Sequence, residues 1–397
     1  MTYHFSVIPV TFGLLLSFIT YAMTWIKRSL CLPFAILSIS FLSYCSLSLF
    51  ILVLKRGPFE YYLGGWPPPI GIAYYIDELN AFLSLLVYLV ALINLLCNWA
   101  RFLEKQGDRI GGTMALYILF ISGLNGILLT ADLFNLYVLL EIASLTGYAL
   151  LAIGDKRQAP FASLNYVFLG TIGACFYLLG VGYLYIKTGS LNMQDVSGLI
   201  TKIPKSPTIL SGFIFILIGI WIKMGLFPFH IWLPRAYTNT FGPVSSLIAP
   251  LGTKVMAYVI FRVILFVFGK EFSFEIHSLG HVATLFGVAA ILYGAITALR
   301  QTDLRRMLCF VVITEIGYIV AGLGVGNINA IRGSLLHLLN DVAMTFCLFL
   351  SADHLTVNTG TKIEELKGVF QKTPFGSSIY VLASLSVIGI PPSPGFF

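Results

Sequence analysis

The chain has 397 residues, of which 58% are apolar and only 10% charged, with a mean hydropathy of +0.90. A soluble domain carries about 25% charged residues, so this composition cannot cover a water-facing surface, and the net charge of +7 requires no nucleic-acid partner. What remains is an all-α, polytopic transmembrane helix bundle. Apolar runs of about 20 residues recur as a ~30 Å hydrocarbon layer demands, and no ten-residue alternation marks a β-barrel.

Twelve apolar segments are predicted, near 5–26, 30–54, 78–99, 112–130, 132–153, 161–186, 208–229, 245–268, 279–299, 307–325, 330–350 and 374–392. The first has neither a basic start nor a small-residue cleavage site, so it reads as an uncleaved span and not as a signal peptide. Connections are short. The two longest are 55–77, with Gly64-Gly65-Trp66-Pro67-Pro68-Pro69, and 351–373, which mixes charged and apolar residues.

Loops assigned to alternate sides put 14 Lys and Arg on one side, Lys156, Arg235 and the Arg300–Arg306 cluster among them, and 8 on the other. The positive-inside rule makes the richer side cytoplasmic. The N-terminus is then outside, and an even number of spans puts the C-terminus outside too. Arg300–Arg306 is expected to anchor the chain at the cytoplasmic membrane surface.

Proline and glycine interrupt two segments. The seventh reads Gly219-Ile-Trp-Ile-Lys223-Met-Gly225-Leu-Phe-Pro228, and the twelfth reads Ser386-Val-Ile-Gly389-Ile-Pro391-Pro392-Ser-Pro394-Gly395. Paired broken helices point to a transporter built on an inverted repeat. The breaks are an odd number of segments apart, which gives the repeats opposite topology. The expected organisation is three N-terminal helices over 1–111, a first half-channel over 112–270 and a second over 271–397.

Several charges fall inside the spans. Glu141 is nine residues into its segment, ~13 Å deep at ~1.5 Å per residue. Lys223 lies fifteen residues into segment seven and Lys254 nine into segment eight. Each central charge costs about 2.5–3.5 kcal/mol on insertion scales. A purely structural pair, such as Glu141 with Lys223, leaves Lys254 with no evident partner. The alternative is proton chemistry. Burial disfavours the charged form of such a group and an opposite charge restores it, so a row of these groups can hand protons along.

Glu315 lies in segment ten, and His337 and Asp341 in segment eleven share one helical face, four residues apart. His337 and Asp341 read as relay more than packing, whereas Glu315 fits relay or pairing with a neighbour. Asp132, at the outer mouth of segment five, reads as a helix N-cap or as a carboxylate admitting protons. His277 and His281 form a solvated face with too few ligands for a metal. The six cysteines occur singly with no CxxC, which supports neither a disulfide framework nor a zinc or iron–sulfur site. Gly322-x-Gly324-x-Gly326 is apolar and mid-helix, unlike a dinucleotide fingerprint. No cofactor or metal is expected in this chain.

A family becomes recognisable in these residues. The runs Thr130-Ala-Asp132-Leu-Phe-Asn135-Leu-Tyr-Val-Leu-Leu-Glu141, Lys223-Met-Gly-Leu-Phe-Pro-Phe-His230-Ile-Trp-Leu-Pro234-Arg-Ala, Gly252-Thr-Lys254-Val, Gln301-Thr-Asp303-Leu-Arg-Arg306-Met-Leu and Leu335-Leu-His337-Leu-Leu-Asn340 occur in order. Together they resemble the antiporter-type subunits of respiratory complex I, the D-type subunit of Mrp cation/proton antiporters, and counterparts in membrane-bound hydrogenases. Leu63-Gly-Gly-Trp-Pro-Pro-Pro-Ile leans toward the Mrp D-like branch.

The resemblance implies a fourteen-helix fold with two inverted five-helix repeats. Glu141 and Lys223 would be the coupled pair of the first half-channel, Lys254 the next relay and His337 the connecting group. The partners would be homologous subunits in one complex, and the cargo H⁺ or Na⁺. Three positions depart from the pattern: Asp341 stands where a second His is common, Thr345 where a Lys is common, and Glu315 where Gln is common. The chain also stops at Gly395-Phe396-Phe397, before the family's last two helices, as a fragment or with another polypeptide completing it.

The expected function is that of an ion-translocating subunit of a multi-subunit membrane complex in a prokaryotic inner membrane, with any electron chemistry in partner chains. Two alternatives are a stand-alone secondary transporter for a small solute and a non-transporting assembly subunit.

Overall fold

Large apolar side chains on the outside and small or polar ones within make up the first helix. In α1 (Ile8–Ile26) the buried positions are Pro9, Val10, Gly13, Ser17 and Thr20, while Leu15, Phe18 and Trp25 are exposed. This inverts the pattern of a soluble helix and is what a lipid solvent selects. Apolar surface costs nothing against acyl chains, and helices there associate through small residues. The computed structural model describes residues 2–154, 157–357 and 359–396. Lys156 of the charge count and Phe397 of the terminal run lie outside them.

Among the described residues, eleven helical stretches are long and apolar enough to cross a membrane, and Pro374–Ile388 is a shorter apolar helix. These occupy the twelve predicted positions. The chain divides into two compact units, Met1–Leu150 with Ala174–Gly219, and Leu151–Gly173 with Ile220–Phe397.

The first unit holds α1, α2 (Cys31–Arg56), α3 (Glu78–Cys97), the short amphipathic α4 (Trp99–Gln106), α5 (Ile110–Leu129) and most of α6 (Leu133–Ala152). The latter part of α7 (Ala159–Thr188), α8 (Met193–Ile200) and the start of α9 (Pro207–Met224) complete it. Helix α5 is buried along nearly its whole length, and α1 packs on it where Gly13 meets Ser122. The long 55–77 connection contains an antiparallel hairpin of β1 (Phe59–Tyr62) and β2 (Ala73–Ile76), registered Phe59 to Ile76. Asp77 and Asn80 then form a capping box that starts α3, satisfying two N-terminal amides at once.

The second unit holds α10 (Trp232–Asn239), α11 (Gly242–Phe261), α12 (Leu279–Leu299), α13 (Leu304–Val325), α14 (Ile328–Val357), α15 (Val369–Lys372) and α16 (Pro374–Ile388). A seam of small residues brings α12 and α13 to backbone contact, with Gly287 against Ala321 and Gly317 against the Gly287 carbonyl.

Local hydrogen bonding repeats along the chain. The helix α9 stops at Gly225, φ +75°, and α16 at Gly389, φ +78°. In each, the next amide reaches back to a carbonyl five residues earlier, Leu226 to Trp221 and Ile390 to Leu385, both at 3.1 Å. Three residues on, Phe229 bonds Leu226 and Ser393 bonds Ile390. This is a glycine-terminated helix end written twice. The helix starts repeat as well. Asp132 bridges to Asn192, and Asp303 to Lys362. Each aspartate caps its own helix, through the Asn135 amide at 2.7 Å and the Arg306 amide at 2.9 Å. The predicted broken helices are therefore present.

Candidate functional site

In the first unit, Glu141 sits half-buried in the middle of α6. Asp132 is the N-cap of that helix. Burial raises its carboxyl above the usual range, and the Asn135 and Phe134 amides pull it part of the way back. The capping reading of Asp132 is the one the geometry realises.

In the second unit, Lys223 is buried in the last turn of α9, immediately before the break. The carbonyl ends of a final turn carry partial negative charge, which favours a cation there. The break frees the Ile222 carbonyl, and the buried Trp232 indole donates to it at 3.0 Å. Tyr166 stacks flat on Trp232, ring centres 3.6 Å apart, so the chain's return from the break is held by aromatic packing. The same segment buries His230 between Phe227 and Tyr293, at 5.5 and 4.6 Å between ring centres. Its Nδ1 has no hydrogen-bond partner among the described residues. In the sequence His230 stands out only as part of a longer motif. The available signal is its spacing, seven residues after Lys223 and just past a helix-ending proline.

A tighter cluster lies between α11, α13 and α14. Lys254 is fully buried one turn beyond Pro250, and its Nζ stands 3.3 Å from Asp341 Oδ2, with both side chains 1% exposed. The ammonium also donates to Thr345 Oγ1 at 3.1 Å, and that hydroxyl donates to Asp341 Oδ1 at 2.7 Å. Amine, hydroxyl and carboxylate close a triangle. One turn earlier on α14, His337 Nε2 is 2.9 Å from Glu315 Oε2 of α13, with the Tyr318 ring set edgewise 5.9 Å from the imidazole. Glu315 Oε2, His337 Nε2 and Asp341 Oδ2 have no aligned hydrogen bond among the described residues. Bonding capacity is therefore left over at each of these atoms.

Two sequence expectations need correction, those for Lys254 and Arg300–Arg306, and that for His337 and Asp341 gains detail. Lys254 does have a partner, Asp341, on a helix 87 positions away. His337 and Asp341 share a face of α14 but serve different partners, one on each neighbouring helix. The Arg300–Arg306 cluster is not uniformly a surface anchor, because Arg305 forms an ion pair with Asp353 in which both side chains are largely buried. Helix α14 runs on to Val357, two turns beyond the predicted end, and so carries Asp353 back into the protein. The Asp353 carboxylate also fills the space beside Gly242 at the start of α11.

His281 lines an open groove with Phe274, Thr284 and Leu285. No group of three or more His, Cys, Asp or Glu able to hold a metal occurs among the described residues.

Residues 130–397 match the family described as NADH:quinone oxidoreductase/Mrp antiporter, transmembrane. The chain belongs to this family. Among relatives, NADH-quinone oxidoreductase subunit N of Desulforudis audaxviator is 43% identical over 346 residues, 87% of this chain and 68% of that one. The Na⁺/H⁺ antiporter D subunit of Alkalihalophilus pseudofirmus is 30% identical over 354 residues, 89% and 70% of the two chains. A chain of the membrane-bound sulfane sulfur reductase, an archaeal respiratory membrane complex, superposes with a TM-score of 0.90 at 28% identity, covering 97% of this chain and 78% of that one. A chain of the Mrp complex from a Dietzia species superposes at 0.88 with 22% identity, over 100% and 72%, which is a likeness of fold. This NADH:quinone oxidoreductase/Mrp antiporter family member is an integral, multi-pass membrane protein, similar to subunits of multi-subunit membrane complexes. Glu315, Asp341 and Thr345 are the partners of His337 and Lys254, and together the five side chains form one network.

Proposed function

We propose that the chain is an ion-translocating subunit of a multi-subunit membrane complex, relaying protons through Glu141, Lys223, Lys254, His337, Asp341 and Glu315. The observation that carries this reading is the buried triangle of Lys254, Thr345 and Asp341 one helical turn from the Glu315–His337 contact. Moving one proton from Nζ to the carboxylate converts an ion pair into a neutral pair. The net charge of the pair is the same in both forms, which keeps the exchange accessible in a low-dielectric interior.

His337 and Asp341 are about 6 Å apart along the helix. A charge arriving on His337 therefore biases the exchange toward the ion pair by the difference between its interactions with the carboxylate and with the ammonium, a fraction of the about 3 kcal/mol that one unit charge alone would feel at an effective dielectric of ~20. The leftover bonding capacity of Glu315 Oε2, His337 Nε2 and Asp341 Oδ2 suits water as the carrier between groups. Glu141 on α6 and Lys223 at the α9 break supply the ionisable groups of the first half.

Further parts of the reading are the half-channels at 112–270 and 271–397 after a 1–111 helix trio, and homologous subunits as neighbours. The N-terminus is placed outside a prokaryotic inner membrane, and H⁺ is the primary cargo. The relatives' names, an NADH-quinone oxidoreductase subunit and a Na⁺/H⁺ antiporter subunit, support this. The test is proton uptake by vesicles containing the intact complex. Glu141→Ala and Lys223→Ala are expected to abolish uptake while the complex still assembles; normal uptake in both variants rejects the assignment.

A further inference from the structure

We propose that the cavity at the head of α7 binds the phosphate of an anionic phospholipid. The cavity, about 340 Å³, is lined by Arg235 in the middle of α10 and Arg306 in the first turn of α13, with the carboxamides of Gln158, Asn165 and Asn239 around them. Among the described residues, no carboxylate lines it. Neighbouring Arg305 is committed to Asp353, whereas among the described residues neither Arg235 nor Arg306 takes part in an ion pair. Two guanidinium forks and three amide donors facing one space match a phosphodiester, which accepts paired N–H bonds. The 30-residue helix α7 starts at Ala159 beside this space, and a helix N-terminus adds to the attraction for an anion.

A lipid, and not free phosphate, follows from what lies below the cavity. Phe161, Leu164, Phe168 and Ile172 are 69%, 47%, 61% and 46% exposed. At spacings of three, four and four they fall on one face of α7 and run ~16 Å away from the cavity. Headgroup site and acyl track are therefore continuous. Arg235 and Arg306 are also counted on the side richer in Lys and Arg, the one that faces anionic leaflet lipid under the positive-inside assignment. The physical effect is clamping: one molecule joins the starts of α7 and α13 to the end of α10.

The test is thermal unfolding of the purified full chain in detergent with dioleoylphosphatidylglycerol, dioleoylphosphatidylcholine or inorganic phosphate. Near-saturating phosphatidylglycerol is expected to raise Tm by about 5 °C, with little change from the other two. Arg235→Gln/Arg306→Gln should lose that rise while keeping the Tm seen in phosphatidylcholine. Asn165→Asp, an exposed change that sets a negative charge at the rim, should lose at least half of it and covers the case of a double variant that does not fold. An equal rise with phosphatidylcholine, an equal rise with inorganic phosphate, or an undiminished rise in Asn165→Asp overturns the proposal.

Discussion

Replacing Thr345 by Val removes one hydroxyl and keeps the side-chain shape. That hydroxyl accepts from Lys254 Nζ at 3.1 Å and donates to Asp341 Oδ1 at 2.7 Å, in a site where both charged partners are 1% exposed. The direct contact of amine and carboxylate at 3.3 Å survives the change. Each hydrogen bond to a charged group is worth about 1.5–3 kcal/mol, and both oppose the neutral form of the pair. Losing them shifts the balance between ionised and neutral pairs by about 3 kcal/mol or more, about a hundredfold. If the relay cycles through both forms, proton uptake by vesicles containing the complex should fall by one to two orders of magnitude in Thr345→Val. Thr345→Ser should retain most of the wild-type rate. Complex abundance, measured on the same vesicles, separates transport from assembly. Wild-type uptake in an assembled Thr345→Val complex refutes the bridging role, because nothing else in that substitution differs.

Other outcomes follow from neighbouring geometry. Removing one partner of a buried ion pair costs about 3–5 kcal/mol, so Arg305→Gln or Asp353→Asn alone should markedly lower the thermal unfolding temperature. The double variant should recover much of the loss. Gly242→Ala places a methyl against the Asp353 carboxylate and should lower unfolding temperature and complex abundance through the same contact. Asp132→Asn keeps a capping side chain and deletes the charge. Near-normal transport is expected there, while Asp132→Ala should lose about 1 kcal/mol of helix stability; a transport defect in Asp132→Asn with intact folding would assign the carboxylate a role in proton access.

The spans are legible in the sequence because a bilayer imposes length and apolarity on every crossing, and the breaks because Gly225, Pro228, Gly389 and Pro391 leave few alternatives to a helix end. The ionisable residues are legible as anomalies of composition. Their pairing is not. Lys254 and Asp341 sit on helices whose relative rotation no local pattern specifies, so position in a span reports depth without the direction in which a side chain points. Asp353 reads as loop because Ser351, Asp353 and Thr356 look polar for a span. In the folded chain the Ser351 and Thr356 hydroxyls bond back to carbonyls of their own helix, and Asp353 meets Arg305. The hairpin of β1 and β2 escapes a sequence reading because its strands are four residues long and separated by a glycine- and proline-rich turn.

The duplicated helix ends carry a consequence for how such a fold diverges. Lys223 stands two residues before Gly225, and Val387 occupies the matching place before Gly389. The turn architecture is the same at both helix ends while the residue at this place is not, so likeness of backbone does not entail likeness of charge. A socket of this kind can be emptied or refilled by one codon without rebuilding the backbone around it, which makes the placement of charge the part of the molecule freest to drift.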